Sequence, residues 1–503
     1  MFTVGERLHR LAGGRTARAM WWVFPSFLCL LIYYPGLLAW FQADDFVWLG
    51  QWRRIADGGS LWTELLAPSV HGTWRPLSER AYFLVLSRWF PEEALPFRMV
   101  AFATQFLNLA LLAWLVRRLS GSAAMGFLAA LLWLVNPNLG TVMSWSSAYM
   151  QALCGFCLLA GFHFYLNWVE TGRRRWYGLQ WLVFLTGFLV METTVVYPAL
   201  IAVHALLFHR RRLLAIAPMF AASAAFAILH ILLAPKQAQG VYSMHFDGWI
   251  LVTLARYVRL AVSPSWTGPH RLREWAWNLP FVALVSLALL ASLWWGVRKR
   301  QWQVLVFAAW FLFPLAPVLP LRDHVTHYYL TLPAIGLAML GAWGLVEAWR
   351  SHPVMRWSAA AIAAVFAAGS ANDARAWSRW YYQNSVACRE IIACASAGRK
   401  AFPNKMIFLN GLSDDNFWRT FVDHGFQAFR IDGVYPTPEV QGAVIRRPDY
   451  PDIDGFFCDA DTFRQAMESR TAVVLDYNPG SCRNITTLYI QQWERNHSRP
   501  QDK

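Results

Sequence analysis

The chain has 503 residues, of which 56% are apolar and 15% are charged. Soluble proteins carry about a quarter of their residues as charges, so this composition excludes a disordered chain, a collagen-like chain and an ordinary soluble enzyme. The formal net charge of +15 would suit a nucleic-acid partner if it were spread over the chain. Residues 371–503 carry 16 acidic and 16 basic side chains, so the whole excess lies in residues 1–370.

Basic residues in this first part are concentrated in short segments between long apolar runs. These segments contain Arg7, Arg10, Arg15, Arg18, Arg117, Arg118, Arg173, Arg174, Arg175, Arg210, Arg211, Arg212, Arg298, Lys299, Arg300, Arg350 and Arg356. Apolar runs of roughly 17 to 25 residues can cross a bilayer, and basic clusters in short loops mark the cytoplasmic side. The charge therefore indicates membrane topology, and we expect no nucleic-acid partner.

Eleven membrane spans follow when the N-terminus and every basic cluster are placed in the cytoplasm. The predicted spans are residues 20–41, 97–116, 123–135, 147–168, 176–191, 193–208, 213–234, 278–297, 303–319, 329–349 and 357–369. An odd number of spans leaves the C-terminus outside. The sequence thus predicts an all-α polytopic membrane domain over residues 1–370.

Two predicted outer segments do not fit the spans. The first outer loop, about residues 42–96, is long, and long loops in compact proteins tend to be functional. The stretch 246–264 has apolar residues at helical spacing, but Arg256 and Arg259 interrupt its apolar face. A span here would move the next basic cluster outside, so we expect an interfacial amphipathic helix.

The tail, residues 371–503, has a different composition and predicts a small extracytoplasmic α/β domain. Residues 405–410 and 471–476 are short apolar runs of the kind that form buried strands. Helices are expected over about 377–395 and 461–468. Four cysteines lie in this tail, Cys388, Cys394, Cys458 and Cys482, so one or two disulfides are expected in an oxidising compartment, with the pairing left open.

Ionisable residues at the ends of membrane spans are the first candidates for chemistry, because charges near lipid are costly. Asp44 and Asp45 follow the first span directly. Adjacent carboxylates suit a general base or a metal ligand. A solvated helix cap is the structural alternative, and position alone leaves both interpretations open.

The same outer loop carries His71 and Arg75, the latter directly before Pro76. A residue before proline is held extended, and a guanidinium can bind a phosphate through two hydrogen bonds. An ordinary surface arginine is the structural alternative.

Two further groups lie at the same predicted boundary. Glu192 interrupts apolar sequence between spans 5 and 6, where it could act in catalysis or cap a helix. The loop between spans 9 and 10 contains Arg322, Asp323, His324, His327, Tyr328 and Tyr329. It could bind a metal or a phosphate, or be a solvated loop with tyrosines at the membrane interface.

Several of these motifs together resemble the GT-C membrane glycosyltransferases, in particular bacterial relatives of the TPR-bearing transmembrane O-mannosyltransferases. The matching positions are Asp44 and Asp45, Arg75 to Leu77, Glu192 to Thr193 with Pro198, Tyr329 to Leu330, and Leu332 to Gly336. The sequence departs from these relatives at Thr141, Met191, His327 and Tyr328, and its tail lacks a 34-residue repeat.

The resemblance implies an inverting glycosyltransferase that moves a sugar from a polyprenyl-phosphate-linked donor to a lipid, glycan or protein acceptor. It implies Asp44 as the base and Asp45 as a supporting residue or metal ligand. Arg75, with Arg256 or Arg259, is expected to bind phosphate. The further substrate-binding candidates are His71, Glu192, His324, His327 and Tyr328. A divalent cation is not required by this chemistry, so the cofactor stays open.

The implied location is the bacterial inner membrane, with the tail in the periplasm. An O-antigen ligase or polymerase would also use lipid-linked glycans, but would rely on arginine and histidine rather than on an acidic pair. A lipid or glycan transporter predicts internal repeats with broken helices, and the sequence shows no such symmetry. A membrane scaffold whose tail is the functional part is the third alternative.

Overall fold

Helices occupy all eleven predicted spans in the computed structural model, which describes residues 15–68, 72–234, 240, 242–263, 279–447 and 450–497. The long helices are α1 Arg15–Leu37, α2 Leu95–Ser120, α3 Ala123–Leu134, α4 Tyr149–Thr171, α5 Arg174–Phe188, α6 Tyr197–Phe208, α7 Leu213–Leu233, α8 Trp249–Val262, α9 Leu279–Arg298, α10 Gln303–Leu315, α11 Ala334–Arg350 and α12 Pro353–Ala401. The predicted interfacial segment forms α8, and its place at a membrane surface stays a prediction.

Length and apolar character make the chain a multi-pass membrane protein. Five helical segments of the described chain are long and apolar enough to cross a membrane, namely Leu95–Ser120, Ser146–Thr171, Arg210–Leu233, Leu279–Arg298 and Pro353–Ala401. Helix α9 leaves Leu284, Leu287 and Leu290 exposed. Exposed leucines of this kind are costly in water and favourable in lipid.

Local signals explain where the helices begin and end. The hydroxyl of Ser122 accepts a hydrogen bond from the N–H of Met125 and so caps the start of α3. Helix α4 ends at Gly172, whose φ of 68° lies in the left-handed region that favours glycine. Between α5 and α6 the extended backbone of Met191 interrupts the helix, and Pro198 stands in the first turn of α6. The break places Glu192 in a short 3₁₀ turn.

The described residues divide into two compact units, each described by itself. The membrane unit comprises the described residues of 1–38, 66–82 and 96–381, and the tail unit those of 39–65, 83–95 and 382–503. Two pieces of the first outer loop therefore belong with the tail. The predicted domain boundary at residue 370 falls inside α12 and stays a prediction.

Bulky aromatic side chains fill the core of the membrane unit. Trp133, Trp310 and Trp343 are almost completely buried. Helices α10 and α11 approach so closely at Gly336 that a Cβ there would lie 2.3 Å from the backbone N of Phe311. Close helix contacts through small residues are a recurrent feature of membrane proteins, which cannot rely on water to drive helices together.

The tail unit contains a four-stranded sheet, which confirms the small α/β region expected there. The strands are β1 Met406–Asn410, β2 Val434–Pro436, β3 Ala472–Asn478 and β4 Ser481–Asn484. Their order is β2-β1-β3-β4, with β1 parallel to β2 and β3, and β4 antiparallel to β3. The two predicted strands are β1 and β3, whose apolar runs reflect burial in the middle of the sheet. Helix Ala460–Glu468, also predicted, begins at Asp459, which caps it through the N–H of Thr462.

One disulfide joins Cys394 of α12 to Cys482 of β4, while Cys388 and Cys458 are free and buried. Of the four tail cysteines whose pairing the sequence left open, Cys394 and Cys482 are therefore the bonded pair.

We expect Cys482→Ser to destabilise the tail unit by about 2 to 4 kcal/mol, because a disulfide across an 88-residue separation strongly restricts the unfolded chain. Chemical unfolding of the oxidised protein, followed by fluorescence, measures this loss. Cys458→Ala is the matched control and should cost less. Equal stability of Cys482→Ser and wild type would contradict a structural role for the bond.

Candidate functional site

A short turn carries the acidic pair in the tail unit. The N–H of Asp45 donates to the carbonyl of Gln42 at 3.2 Å, and the N–H of Phe46 donates to that of Ala43 at 2.9 Å. A five-residue helix, Asp45–Leu49, follows, so Asp44 takes the position of its cap, but the Asp44 side chain makes no capping hydrogen bond. We call residues 42–46 the acidic turn.

The two aspartates of this turn have different surroundings. Asp44 is partly exposed, whereas Asp45 is completely buried. One carboxylate oxygen of Asp45 accepts the backbone N–H of Gln42 at 3.2 Å. Asp44 is therefore partly accessible from solvent, while Asp45 stabilises the turn from inside.

A third carboxylate, Asp423, lies near this pair and was not among the sequence candidates. Its side chain is buried, with 7% exposure. Burial raises the pKa of Asp423 well above the usual range, and the charges of Asp44 and Asp45 raise it further. No local pattern could have indicated this neighbour, because it comes from the far end of the chain.

The acidic turn was also a candidate metal site. In the described ranges, no three or more His, Cys, Asp or Glu side chains are grouped so that they could hold a metal ion. One Asp45 oxygen is already committed to a backbone N–H. Cation binding by Asp45 stays a prediction, and we assign no step to a metal.

An ion cluster in the membrane unit joins two of the predicted residues, Arg75 and Glu192. The Nε of Arg75 donates to both Glu192 oxygens at 3.2 and 3.0 Å, and its Nη1 donates to Oε1 of Glu79 at 2.6 Å. The Nε2 of His230 lies 3.2 Å from Oε1 of Glu192. Arg75 is thus held by two carboxylates, an arrangement that the sequence analysis did not foresee.

Burial shapes the electrostatics of this cluster. Burial raises the pKa of Glu79, and the positive charge of Arg75 offsets only part of that rise. Glu79 and Glu192 share the guanidinium of Arg75, and the charge of Arg80 also acts on Glu79. The spacing of Arg75 and Glu79, one helical turn apart, could have indicated their pairing, whereas Glu192 and His230 come from other segments.

A second group in the membrane unit combines α8 with the loop between α10 and α11. Arg256 is exposed, Arg259 is partly exposed, and Nη1 of Arg256 lies 3.4 Å from the carbonyl oxygen of Arg322. The Nε2 of His324 lies 3.4 Å from the hydroxyl of Tyr328. Of the predicted residues, Arg322, His324 and Tyr328 thus lie on this loop, and Arg256 contacts it.

His327 lies in the same loop but in a more enclosed position. Its Nδ1 lies 3.3 Å from Oδ1 of Asn138. Burial lowers the pKa of His327 to about 4, so the ring is neutral near pH 7. It can exchange hydrogen bonds with a ligand but carries no charge there. His71, the remaining candidate, lies outside the described residues.

No protein-family model matches this sequence, and no curated protein sequence matches it. Solved structures do resemble it. ArnT from Cupriavidus metallidurans bound to undecaprenyl phosphate is 12% identical, with a TM-score of 0.50 and 95% of each chain covered. Apo ArnT from the same organism gives 13% identity and a TM-score of 0.46 over 95% of each chain.

An oligosaccharyltransferase from Archaeoglobus fulgidus, tethered to an acceptor peptide with the NVT sequon, is 10% identical with a TM-score of 0.49. The match covers 93% of this chain and 69% of that one. The likeness to lipid-bound ArnT shows the fold. The predicted polytopic helical domain with a small C-terminal α/β region is confirmed, and its fold is the one seen in ArnT.

Proposed function

We propose that this protein is a membrane glycosyltransferase that transfers a sugar from a polyprenyl-phosphate-linked donor to a lipid, glycan or protein acceptor. The fold shared with ArnT over 95% of both chains carries the proposal. The undecaprenyl phosphate bound in that ArnT structure supports a polyprenyl carrier here. The acidic turn adds a partly exposed carboxylate of the type that general-base catalysis requires.

The proposed reaction is a direct displacement. Asp44 takes the proton of an acceptor hydroxyl while the oxygen of that hydroxyl attacks the anomeric carbon of the donor. The bond from that carbon to the phosphate oxygen breaks, and the phosphate leaves with the electron pair. A single in-line displacement inverts the configuration of the anomeric carbon. Asp45 keeps the turn in shape through its hydrogen bond to the Gln42 N–H.

Arg256 and Arg259 are the residues that we propose for the leaving phosphate. They are at least partly exposed on α8, so their charges are accessible to an anionic ligand. Charge-assisted hydrogen bonds from guanidinium groups stabilise the phosphate as negative charge develops. We propose a different role for Arg75, which binds Glu79 and Glu192 and so ties the first outer loop to the break between α5 and α6.

An assay with purified protein and a radiolabelled polyprenyl-phosphate sugar tests the function. Transfer to acceptor lipid, glycan or peptide, or slow hydrolysis to free sugar, is the expected result. Movement of the labelled lipid across a vesicle membrane without cleavage would instead favour a transporter. A protein that neither cleaves nor moves the donor would contradict the proposal.

We also propose an inner-membrane location with the N-terminus in the cytoplasm and the tail unit in the periplasm. The Cys394–Cys482 disulfide supports an oxidising compartment for the tail. Cysteine introduced at the exposed Arg464 should react with an impermeant maleimide in intact spheroplasts. Cysteine at Arg174 should react only after permeabilisation. The reverse pattern would place the acidic turn and the tail on the wrong side for the proposed reaction.

A further inference from the structure

We infer that residues 419–429 of the tail unit hold the acidic turn in place, and that Arg419 is a positioning residue for Asp44. We call residues 419–429 the supporting segment. The inference rests on the proposed function, because it concerns the base of that reaction. It gives the tail, whose role the sequence left open, a part in the catalytic centre. All the contacts that support it lie within the tail unit.

The backbone of the acidic turn is strained and held from outside. Ala43 has a φ of 50°, in the left-handed region that residues with a Cβ rarely adopt. Such a conformation costs free energy and persists only where the surroundings impose it. The N–H of Ala43 donates to the carbonyl of Arg419 at 3.1 Å. The tail thus fixes the residue directly before Asp44.

The side chain of Arg419 reaches the same turn. Its Nη1 donates to Oε1 of Gln42 at 3.1 Å, and Gln42 is completely buried. The backbone N–H of Gln42 in turn donates to Oδ2 of Asp45 at 3.2 Å. A chain of hydrogen bonds therefore runs from Arg419 through Gln42 to Asp45, the neighbour of the proposed base.

The supporting segment also packs against the residues on either side of the acidic pair. Gly425 approaches Phe46 so closely that a Cβ would lie 3.0 Å from the Phe46 ring and 2.5 Å from the carbonyl oxygen of Thr420. The ring of Phe429 stacks on Trp40 at 5.4 Å and meets Phe46 edge-on at 6.1 Å. These contacts fix the residues before and after the acidic pair.

Asp423 lies within this same segment. The charges of Asp44 and Asp45 both act on its buried carboxyl, in support of the close approach of the segment to both aspartates. The supporting segment therefore interacts with the acidic turn through backbone and side-chain hydrogen bonds, packing and charge. Its function is to hold Asp44 in one geometry, because a displacement of about 1 Å can cost about a hundredfold in rate.

The test is a double-mutant cycle between Arg419 and Gln42. Arg419→Ala and Gln42→Ala should each lower kcat by about tenfold to a hundredfold, with the KM for a polyprenyl-phosphate sugar within about twofold of wild type. The double variant should lose little more kcat than either single variant, because each single substitution already removes the hydrogen bond between Arg419 and Gln42. Arg419→Lys, which keeps a cationic donor, should recover part of kcat. Arg464→Ala, an exposed arginine on helix Ala460–Glu468, is the control and should keep wild-type kcat.

Hydrogen exchange gives a readout that does not depend on activity. The amides of residues 43–46 should exchange faster in Arg419→Ala than in wild type or Arg464→Ala. Unchanged exchange, or strictly additive losses of kcat in the cycle, would overturn the positioning role. If wild-type protein transfers no sugar, the proposed function fails, and the exchange rates alone decide whether Arg419 holds the turn.

Discussion

Asp44→Asn is expected to lower turnover by about a hundredfold or more, which is within the range that general-base catalysis supplies. Asparagine keeps the size of the side chain and its hydrogen bonding but cannot take up the acceptor proton. Donor KM should change by less than about twofold, because a base acts on the acceptor and does not bind the lipid phosphate. Single-turnover rates and donor affinity, both measured per folded molecule, test the prediction.

Asp45→Asn is the matched control for that experiment. Asp45 is buried and accepts a backbone N–H, a bond that an amide oxygen can also accept. We therefore expect a smaller loss of turnover, accompanied by a lower unfolding temperature. Near-wild-type turnover in Asp44→Asn would remove the base assignment. Equal losses in both variants would indicate that only the shape of the turn matters.

Arg75→Ala is expected to destabilise the membrane unit by about 3 kcal/mol, because it removes the cation that bridges two largely buried carboxylates. The discriminating variant combines Arg75→Met with Glu79→Gln and Glu192→Gln. It removes the cation and both anions together, so neither carboxylate is left without Arg75. We expect it to recover most of the lost stability.

Donor affinity separates the two roles considered for Arg75. If its function is to neutralise the two carboxylates, the donor KM of the triple variant should return to within about twofold of wild type. If Arg75 also binds the donor phosphate, as the sequence suggested, KM should stay raised by about tenfold to a hundredfold, the loss of one charge-assisted contact. Thermal unfolding in detergent and donor titrations distinguish these outcomes.

The helices of the membrane unit could be predicted because the bilayer leaves little choice. A segment in lipid must satisfy its own backbone hydrogen bonds. An apolar run of sufficient length therefore forms a helix whatever other segments pack against it. Basic clusters at Arg173–Arg175 and Arg210–Arg212 marked the ends of these runs. The break at Glu192 was also visible, since it is a charge within apolar sequence.

The buried strands β1 and β3 could be predicted for a similar reason, since both are short apolar runs that contain β-branched residues. The flanking strands β2 and β4 were missed. β2 has three residues and β4 is mostly exposed, so neither carries an apolar pattern. Their place in the sheet depends on pairing with β1 and β3.

The sequence by itself determined the helices of the membrane unit, the change of composition after residue 370, the acidic pair and the resemblance of its motifs to GT-C enzymes. Only the tertiary structure decided that Arg75 is bound by Glu79 and Glu192, and that Cys394 pairs with Cys482. It also decided that Asp423 and Arg419 lie beside the acidic turn. The physical reason is that helix formation in lipid depends on neighbours along the chain. Most partners of buried charges, by contrast, are set by packing among distant segments, and only the spacing of Arg75 and Glu79 gave a local signal.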